Sequence, residues 1–135
     1  MTFDDMFEHI QSQVSLCVLD KMQKRIGMVS GSINADGCAY KQRNILRLME
    51  FSQLTEQKVK YPIFCAPYFF DDAVYLQYNK HSAVYEDYMF FWRKVLLSGI
   101  VTDLFMMPGW ERSTGAQDEY NTAKNCGIMI HIESA

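Results

Sequence analysis

Apolar residues recur along this chain at two different spacings, and those spacings predict its secondary structure. An apolar residue at every third or fourth position predicts helices at residues 2–22, 40–58 and 84–99, and a fourth helix that Ser113 or Thr114 caps and that ends before Gly127. Short, nearly unbroken apolar runs predict buried strands at residues 26–29, 61–70, 104–107 and 128–132, the second of which Pro67 should end. Because strands alternate with helices, we predict a three-layer α/β/α fold around a parallel, flavodoxin- or Rossmann-like sheet of four to five strands.

The length of the chain limits it to one domain, which we take to be residues 1–135. Its composition, 49% hydrophobic and 21% charged, excludes a disordered protein. The first predicted helix precedes the alternating pattern, so we interpret residues 1–24 as an N-terminal helical extension. The apolar stripe of that helix requires cover, either from the helices that flank the sheet or from another subunit.

Charge and cysteine usage exclude several classes of partner. The net charge is −3 and no run of Lys or Arg is present, which argues against a nucleic-acid polymer. No apolar stretch approaches the ~20 residues of a membrane span, and the acidic N-terminus is unlike a signal peptide. Four widely spaced cysteines indicate free thiols and a cytoplasmic location. Because His9, His81 and His131 have no acid or cysteine at ligand spacing, we expect no metal and no other cofactor.

Two loops carry the candidate chemistry, because ligands of open parallel sheets bind beyond the carboxyl ends of the strands. One is residues 30–32, after the first strand, and the other is residues 108–119, after the third. The second loop places Ser113 at a helix start and Glu119 further along the same helix. The amides and the positive end of the helix favour an anion at Ser113 and would help to keep Glu119 ionised. An ionised carboxylate beside an anion site suits displacement at the anomeric carbon of a sugar.

The same residues have a purely structural interpretation. A Ser or Thr followed by an acid a few residues later is the ordinary signature of a helix start. The spacing of Ser113 and Glu119 therefore fits a helix cap as well as an anion site, and periodicity does not decide between them.

A longer motif resembles a known family. Residues 26–132 resemble the nucleoside 2-deoxyribosyltransferase-like superfamily, most of all an uncharacterised phage and prophage branch. The branch ends in a motif that this chain matches with Pro108, Gly109, Trp110, Glu111, Ser113, Gly115, Ala116, Glu119 and Tyr120, followed by Ala123 and Gly127. Ser30 and Gly31 match the first-strand loop of the superfamily, which normally reads Ser/Ala-Gly-Pro.

The resemblance implies a role for each matched residue. Glu119 aligns with the catalytic carboxylate that acts at C1′ of a nucleoside. Ser113 stands where relatives that hydrolyse 2′-deoxynucleoside 5′-monophosphates contact the 5′-phosphate, whereas transferases that act on free nucleosides tend to have an acid there. The substrate-binding residues expected on this basis are Ser30, Gly31, Ser32, Asp87, Trp92, Gly109, Ser113, Gly115 and Ala116. The expected partner is a small nucleoside or nucleotide, and the expected assembly is a homodimer or a larger homo-oligomer.

One departure from the family pattern leaves the function open. The helix before the third strand normally carries an aspartate that assists the departing base, but Trp92 stands at that position and Asp87 lies about a turn and a half earlier. General acid catalysis contributes about 10²–10⁴-fold to the rate, so a site without this acid would bind a nucleotide but cleave it slowly. From the motif with Ser113 and Glu119 we predict an N-glycosidase or deoxyribosyltransferase homologue that acts on the C1′–base bond. The alternative is a nucleotide-binding or sequestering protein of phage origin with a degenerate site, in which Trp92 stacks on a base or packs in the core.

Overall fold

The computed structural model describes residues 25–33, 37–68 and 85–132, together with Glu8 and Ser12, and of residues 38, 68 and 85–90 it describes the backbone alone. Over these ranges the chain forms four strands and three α-helices, namely β1 (Gly27–Ser30), α1 (Lys41–Val59), β2 (Ile63–Cys65), α2 (Tyr85–Leu97), β3 (Asp103–Met106), α3 (Thr114–Asn125) and β4 (Met129–Ile132). Short 3-10 helices span Cys38–Tyr40, Ala66–Tyr68 and Trp110–Arg112. The helix predicted at residues 2–22 lies outside the described residues, apart from the two single positions.

The strands form one parallel sheet in the order β2-β1-β3-β4. Gly27 of β1 pairs with Ile63 of β2 on one side and with Asp103 of β3 on the other, and Asp103 pairs in turn with Met129 of β4. The chain leaves β1 through α1 towards one edge of the sheet and leaves β3 through α3 towards the other edge. The predicted three-layer α/β fold with a parallel, Rossmann-like sheet is confirmed.

Two hydrophobic clusters, one on each face of the sheet, form the core. The first packs the sheet against α2 and α3 and includes Met28, Val95 and Leu104. The second packs the opposite face against α1 and includes Val29 and Leu48. Alternate residues of β1 therefore enter different clusters, which explains why its apolar run is unbroken.

The second strand is shorter than its apolar run. We predicted a strand over residues 61–70 that Pro67 ends, and β2 ends two residues earlier, at Cys65, where the chain turns into the 3-10 helix Ala66–Tyr68. Pro67 lies inside that turn and has no backbone N–H to donate to a neighbouring strand. The apolar residues around Pro67 consequently extend the hydrophobic run without extending the ladder.

The last strand lies at an edge of the sheet and is partly exposed, although its apolar run predicts a buried strand. Within the described residues β4 pairs with β3 alone. Met129 and Ile132, at its two ends, are 57% and 53% exposed. An apolar run alone does not distinguish a central strand from an edge strand.

Helix ends follow local chemistry. Ser113 is the N-cap of α3, as predicted. Lys60 closes α1 in the left-handed conformation at φ 62°, which glycine adopts with less strain.

Among the helices that the structure describes, none has the length and apolar character needed to cross a membrane.

A buried carboxylate ties the amino-terminal edge of the sheet together. Asp103 is 1% exposed and accepts hydrogen bonds from Arg25 Nη2 at 2.5 Å, His131 Nε2 at 2.8 Å and Thr102 Oγ1 at 2.7 Å. His131 also stacks on Phe105, with ring centroids 4.3 Å apart. Burial alone would raise the pKa of Asp103, but these hydrogen bonds and the charge of Arg25 lower it from 3.8 to about 2. The resulting ion pair joins the segment before β1 to β3 and β4.

Candidate active site at the carboxyl edge of the sheet

The order of the strands makes the carboxyl edge between β1 and β3 the expected position of a ligand crevice. Chain connections that leave neighbouring strands in opposite directions open such a crevice at the carboxyl ends of the strands, where α/β proteins bind ligands. Ser30, the last residue of β1, pairs with Met106, the last residue of β3. The amide of Met107 donates to the carbonyl of Ser30 at 2.8 Å and extends the ladder by one bond. The two loops that the sequence singles out therefore start side by side.

A hydrogen bond joins the end of β1 to α3 at this edge of the sheet. Ser30 Oγ donates to Glu119 Oε2 at 3.1 Å, although the two residues are 89 positions apart in the chain. Ser30 is 2% exposed. Glu119 lies on the side of α3 that faces the sheet, between the buried Ala116 and Ala123 at helical spacing. The structure thus brings together the predicted catalytic carboxyl group and the first-strand loop.

The surroundings of Glu119 favour its protonated form. Burial raises the pKa of Glu119 to about 8; the hydrogen bond from Ser30 opposes this effect, and the negative charge of Asp118 adds to it. Within the described part of the chain, no basic side chain pairs with Glu119. The raised pKa of Glu119 contradicts the expectation that the helix dipole keeps it ionised, because burial outweighs the field of the helix, which is weak beyond the first turn of α3.

A second carboxyl group, Asp118, lies next to Glu119 on the same helix. Arg93 Nη2 of α2 donates to Asp118 Oδ1 at 2.6 Å, and this pair connects α2 to α3. The other oxygen of Asp118, Oδ2, is buried and has no hydrogen-bond partner among the described residues. No group of three or more potential metal ligands occurs in the ranges that the structure covers. Sequence reasoning missed Arg93 and Asp118, because 25 positions separate them and no motif links them.

Ser113 caps α3 at the helix end where the sequence predicts an anion site. Its Oγ accepts a hydrogen bond from the amide of Ala116 at 3.2 Å, so the structural interpretation of Ser113 is confirmed. The hydroxyl acts there as an acceptor, and its own proton can still be donated to a ligand. The amides of Thr114 and Gly115, in the first turn, have no intrahelical acceptors and face the same end of the helix.

Two of the predicted glycines have conformational reasons to be glycine. Gly109 opens the 3-10 helix Trp110–Arg112 at φ 88°, which side chains other than hydrogen rarely adopt. A Cβ atom on Gly31 would lie 2.8 Å from Met107 Cε and 3.1 Å from Leu48 Cδ1. Gly31 therefore allows the loop after β1 to pack directly against the loop after β3.

The next loop residue, Ser32, carries an unused hydroxyl group. Ser32 is 3% exposed, and its Oγ has no hydrogen-bond partner within the described residues. A buried hydroxyl without a partner costs about 1–3 kcal/mol. Ser32 thus stays a candidate ligand contact, two residues beyond the hydroxyl that contacts Glu119.

Trp92 packs in the core. It is 6% exposed and lies edge-on to Phe91 at a centroid distance of 5.0 Å, with Phe64 of β2 at 6.4 Å. The described side chains of α2, residues 91–97, include no carboxylate. Asp87 lies on α2, but its side chain is outside the described part of the structure. Stacking of Trp92 on a base stays a prediction. Its contacts with Phe91 and Phe64 are those of a core residue.

An aromatic pair holds the loop after β3 on α3. Trp110 stacks on Tyr120 with ring centroids 4.8 Å apart and an interplanar angle of 24°. The indole Nε1 of Trp110 is buried and donates to no described residue. This contact holds the 3-10 helix Trp110–Arg112 beside the helix that carries Glu119. In the sequence, both residues belong to the motif that resembles the family.

Comparison with known proteins found one family. Residues 71–132, which are 62 of the 135, match a family model described as Domain of unknown function (DUF4406). That family is related to nucleoside 2-deoxyribosyltransferase-like proteins. The matched range runs from before α2 to the end of β4, so it includes Ser113 and Glu119 and excludes Ser30. A search of curated proteins and a search of solved structures returned no match.

Proposed function

We propose that this protein acts on the C1′–base bond of a small nucleotide or deoxynucleotide, as an N-glycosidase or a deoxyribosyltransferase. The observation that supports this most is the hydrogen bond from Ser30 to Glu119. It places a carboxyl group at the carboxyl edge of a parallel sheet, in the crevice where such folds bind ligands. Glu119 is the group that acts at C1′, and the loop from Ser30 to Ser32 closes over the sugar.

The start of α3 supplies the phosphate site of this proposal. The hydroxyl of Ser113 and the amides of Thr114 and Gly115 can hold the 5′-phosphate, and the helix dipole favours its negative charge. Glu119 follows Ser113 by six positions, which correspond to about 9 Å along the helix axis. The Glu119 side chain leans towards the helix start, so a sugar phosphate can reach both groups at once.

The charge of the protein fits a small ligand. The net charge is −3, and the sequence has no cluster of Lys and Arg that would follow a polynucleotide backbone. A phosphate group at the start of α3 would be held by amides and hydroxyls, which suit one compact anion.

A ligand panel tests the proposal. Nucleoside and 2′-deoxynucleoside monophosphates are incubated with the protein, and free base is measured by chromatography. We expect base from at least one 2′-deoxynucleoside 5′-monophosphate and a loss of at least about 100-fold in Glu119→Gln. The matched control is Glu50→Gln on the exposed side of α1, which should keep the wild-type rate. No base from any compound, or undiminished release by Glu119→Gln, refutes the proposal.

A second candidate is a protein that binds or sequesters a nucleotide without cleaving it. The core position of Trp92 favours it, because the family aspartate that assists the departing base would stand there. Thermal-shift measurements on the same panel separate the two candidates. Stabilisation by a nucleotide without base release supports the binder, and no stabilisation by any compound excludes it.

The finer features of the resemblance belong to the same proposal. They are membership of the phage and prophage branch, a cytoplasmic location, and a homodimer or larger homo-oligomer. Light scattering after size exclusion measures the assembly directly, and a monomer at all concentrations would contradict that part.

A further inference from the structure

We propose that Asn44, on α1, is a positioning residue of the ligand site: it holds the loop after β1 so that the hydroxyl of Ser32 can bind a hydroxyl group of the sugar. This inference rests on the proposed function, because it assigns one contact between that loop and the nucleotide. It adds a residue from a helix that carries none of the residues that the sequence singles out for the site.

Asn44 is a polar residue in the buried face of α1. That face consists of Asn44, Leu48, Ser52 and Thr55. Asn44 is 3% exposed, and a buried amide requires hydrogen-bond partners to offset the loss of water. An apolar side chain would pack at this position without that requirement. The amide therefore indicates a specific contact in addition to packing.

The contact joins α1 to the loop after β1. Asn44 Nδ2 donates to the carbonyl oxygen of Ile33 at 3.0 Å, across 11 positions of the chain. Asn44 Oδ1 accepts a hydrogen bond from Arg43 Nη2 at 3.3 Å, and the Arg43 guanidinium lies over the ring of Tyr40 at 4.4 Å. Because an amide oxygen accepts and an amide nitrogen donates, the two bonds together fix the orientation of the Asn44 side chain.

The loop is held on both sides of Ser32. Before it, Gly31 packs so closely on α1 that a Cβ atom would lie 3.1 Å from Leu48 Cδ1. After it, Ile33 accepts the hydrogen bond of Asn44. Leu48 follows Asn44 by one helical turn, so one face of α1 supports both neighbours of Ser32. The backbone of Ser32 is thereby fixed before a ligand arrives.

The hydroxyl of Ser32 is the group that this arrangement presents. Ser32 is 3% exposed, and its Oγ has no hydrogen-bond partner within the described residues. A hydroxyl donates one hydrogen bond and accepts others, and an unpaired one destabilises the free protein. A sugar hydroxyl can pair with it in both ways. Ser32 lies two positions beyond Ser30, whose hydroxyl contacts Glu119, so Ser32 and Glu119 can contact the same sugar.

Stability and binding should respond differently to Ser32→Ala. Removal of an unpaired hydroxyl should keep or raise the melting temperature, whereas the Kd of a bound nucleotide should rise about 10-fold. The loss should occur only with nucleotides that carry the contacted hydroxyl. Ribo-, 2′-deoxy- and 2′,3′-dideoxynucleoside 5′-monophosphates of one base distinguish the 2′-hydroxyl from the 3′-hydroxyl. Equal losses on all three refute the contact.

A double-mutant cycle tests whether Asn44 acts through Ser32. Asn44→Leu removes the hydrogen bond to Ile33 and keeps the side-chain size. It should raise the Kd about 10-fold in the wild type but less than about 2-fold in Ser32→Ala, because both changes remove one contact. Hydrogen exchange of the amides of residues 31–33 should become faster in Asn44→Leu. Asn44→Ala repeats the cycle, and urea unfolding checks that each variant folds.

Ser52→Ala is the matched control for Asn44. Ser52 is 1% exposed on the same face of α1, its Oγ has no partner among the described residues, and it lies about two turns from the loop. Its replacement should change neither the Kd nor the exchange of the loop amides. Equal effects of Asn44→Leu with and without the Ser32 hydroxyl overturn the positioning role and leave the proposed function standing. A wild type that neither binds nor cleaves any nucleotide overturns both.

Discussion

The ion pair between Asp103 and Arg25 should stabilise the folded protein near neutral pH and lose that effect as the pH falls. We consider Asp103→Asn, which keeps the shape of the side chain and removes its charge. The fall in pKa from 3.8 to about 2 corresponds to roughly 2.4 kcal/mol, because each pH unit is worth about 1.36 kcal/mol. The Arg25 side chain is 51% exposed, so water screens the pair, and we expect a loss of about 1–2 kcal/mol near pH 7.

The sign of the effect follows from the lowered pKa. A carboxyl group whose pKa is lower in the folded protein stabilises it fully above the unfolded value, here 3.8, and that stabilisation disappears as the pH falls through about 2. The free energy of unfolding of the wild type should therefore exceed that of Asp103→Asn by a constant margin from about pH 7 to pH 5. The margin should then close between about pH 4 and pH 2.

Urea unfolding at a series of pH values measures this margin. Free energies of unfolding are determined for the wild type, for Asp103→Asn and for the exposed control Glu50→Gln. The control should follow the wild type within about 0.5 kcal/mol. A margin between wild type and Asp103→Asn that stays constant into acid, or that grows there, would show that packing rather than charge holds this edge of the sheet.

Three further predictions concern the loops and helix ends. Lys60→Gly should raise the free energy of unfolding by about 0.5–1 kcal/mol, since φ 62° strains a side chain; a lower urea midpoint would contradict this. Gly31→Ala should cost about 1–3 kcal/mol, because its Cβ would lie 3.0 Å from Met107 Cβ and 3.1 Å from Leu48 Cδ1, and an unchanged melting temperature would show that the loop relaxes freely. Ser113→Asp should still accept the hydrogen bond from the Ala116 amide, so its free energy of unfolding should stay within about 0.5 kcal/mol of the wild type. Its negative charge should abolish thermal stabilisation by nucleoside 5′-monophosphates, and retained stabilisation would remove Ser113 from the phosphate site.

The architecture could be predicted from the sequence where each element carries a local signal. The apolar runs of β1 and β3 and the N-cap Ser113 are such signals, and the rule for parallel sheets then places Ser30 and Glu119 at one edge. Boundaries were less exact: Pro67 signals the end of the second strand, but β2 ends two residues before it, at Cys65.

The electrostatics could not be predicted because they depend on contacts between distant segments. Asp103 interrupts an apolar stretch in the sequence, and its main partner Arg25 lies 78 positions away. The neutral state of Glu119 likewise depends on burial and on the charge of Asp118, whereas the sequence shows only a carboxyl group some way into a helix. Burial outweighed the helix field that the sequence suggested.

The release of free base from a 2′-deoxynucleoside 5′-monophosphate tests the central claim most directly. The measurement compares the wild type with Glu119→Gln on the nucleotide that stabilises the protein most. If the crevice between β1 and β3 holds the C1′–base bond, the wild type releases base and Glu119→Gln releases it at least about 100-fold more slowly. Equal release by both proteins, or release by neither, would contradict the assignment of this crevice as an active site.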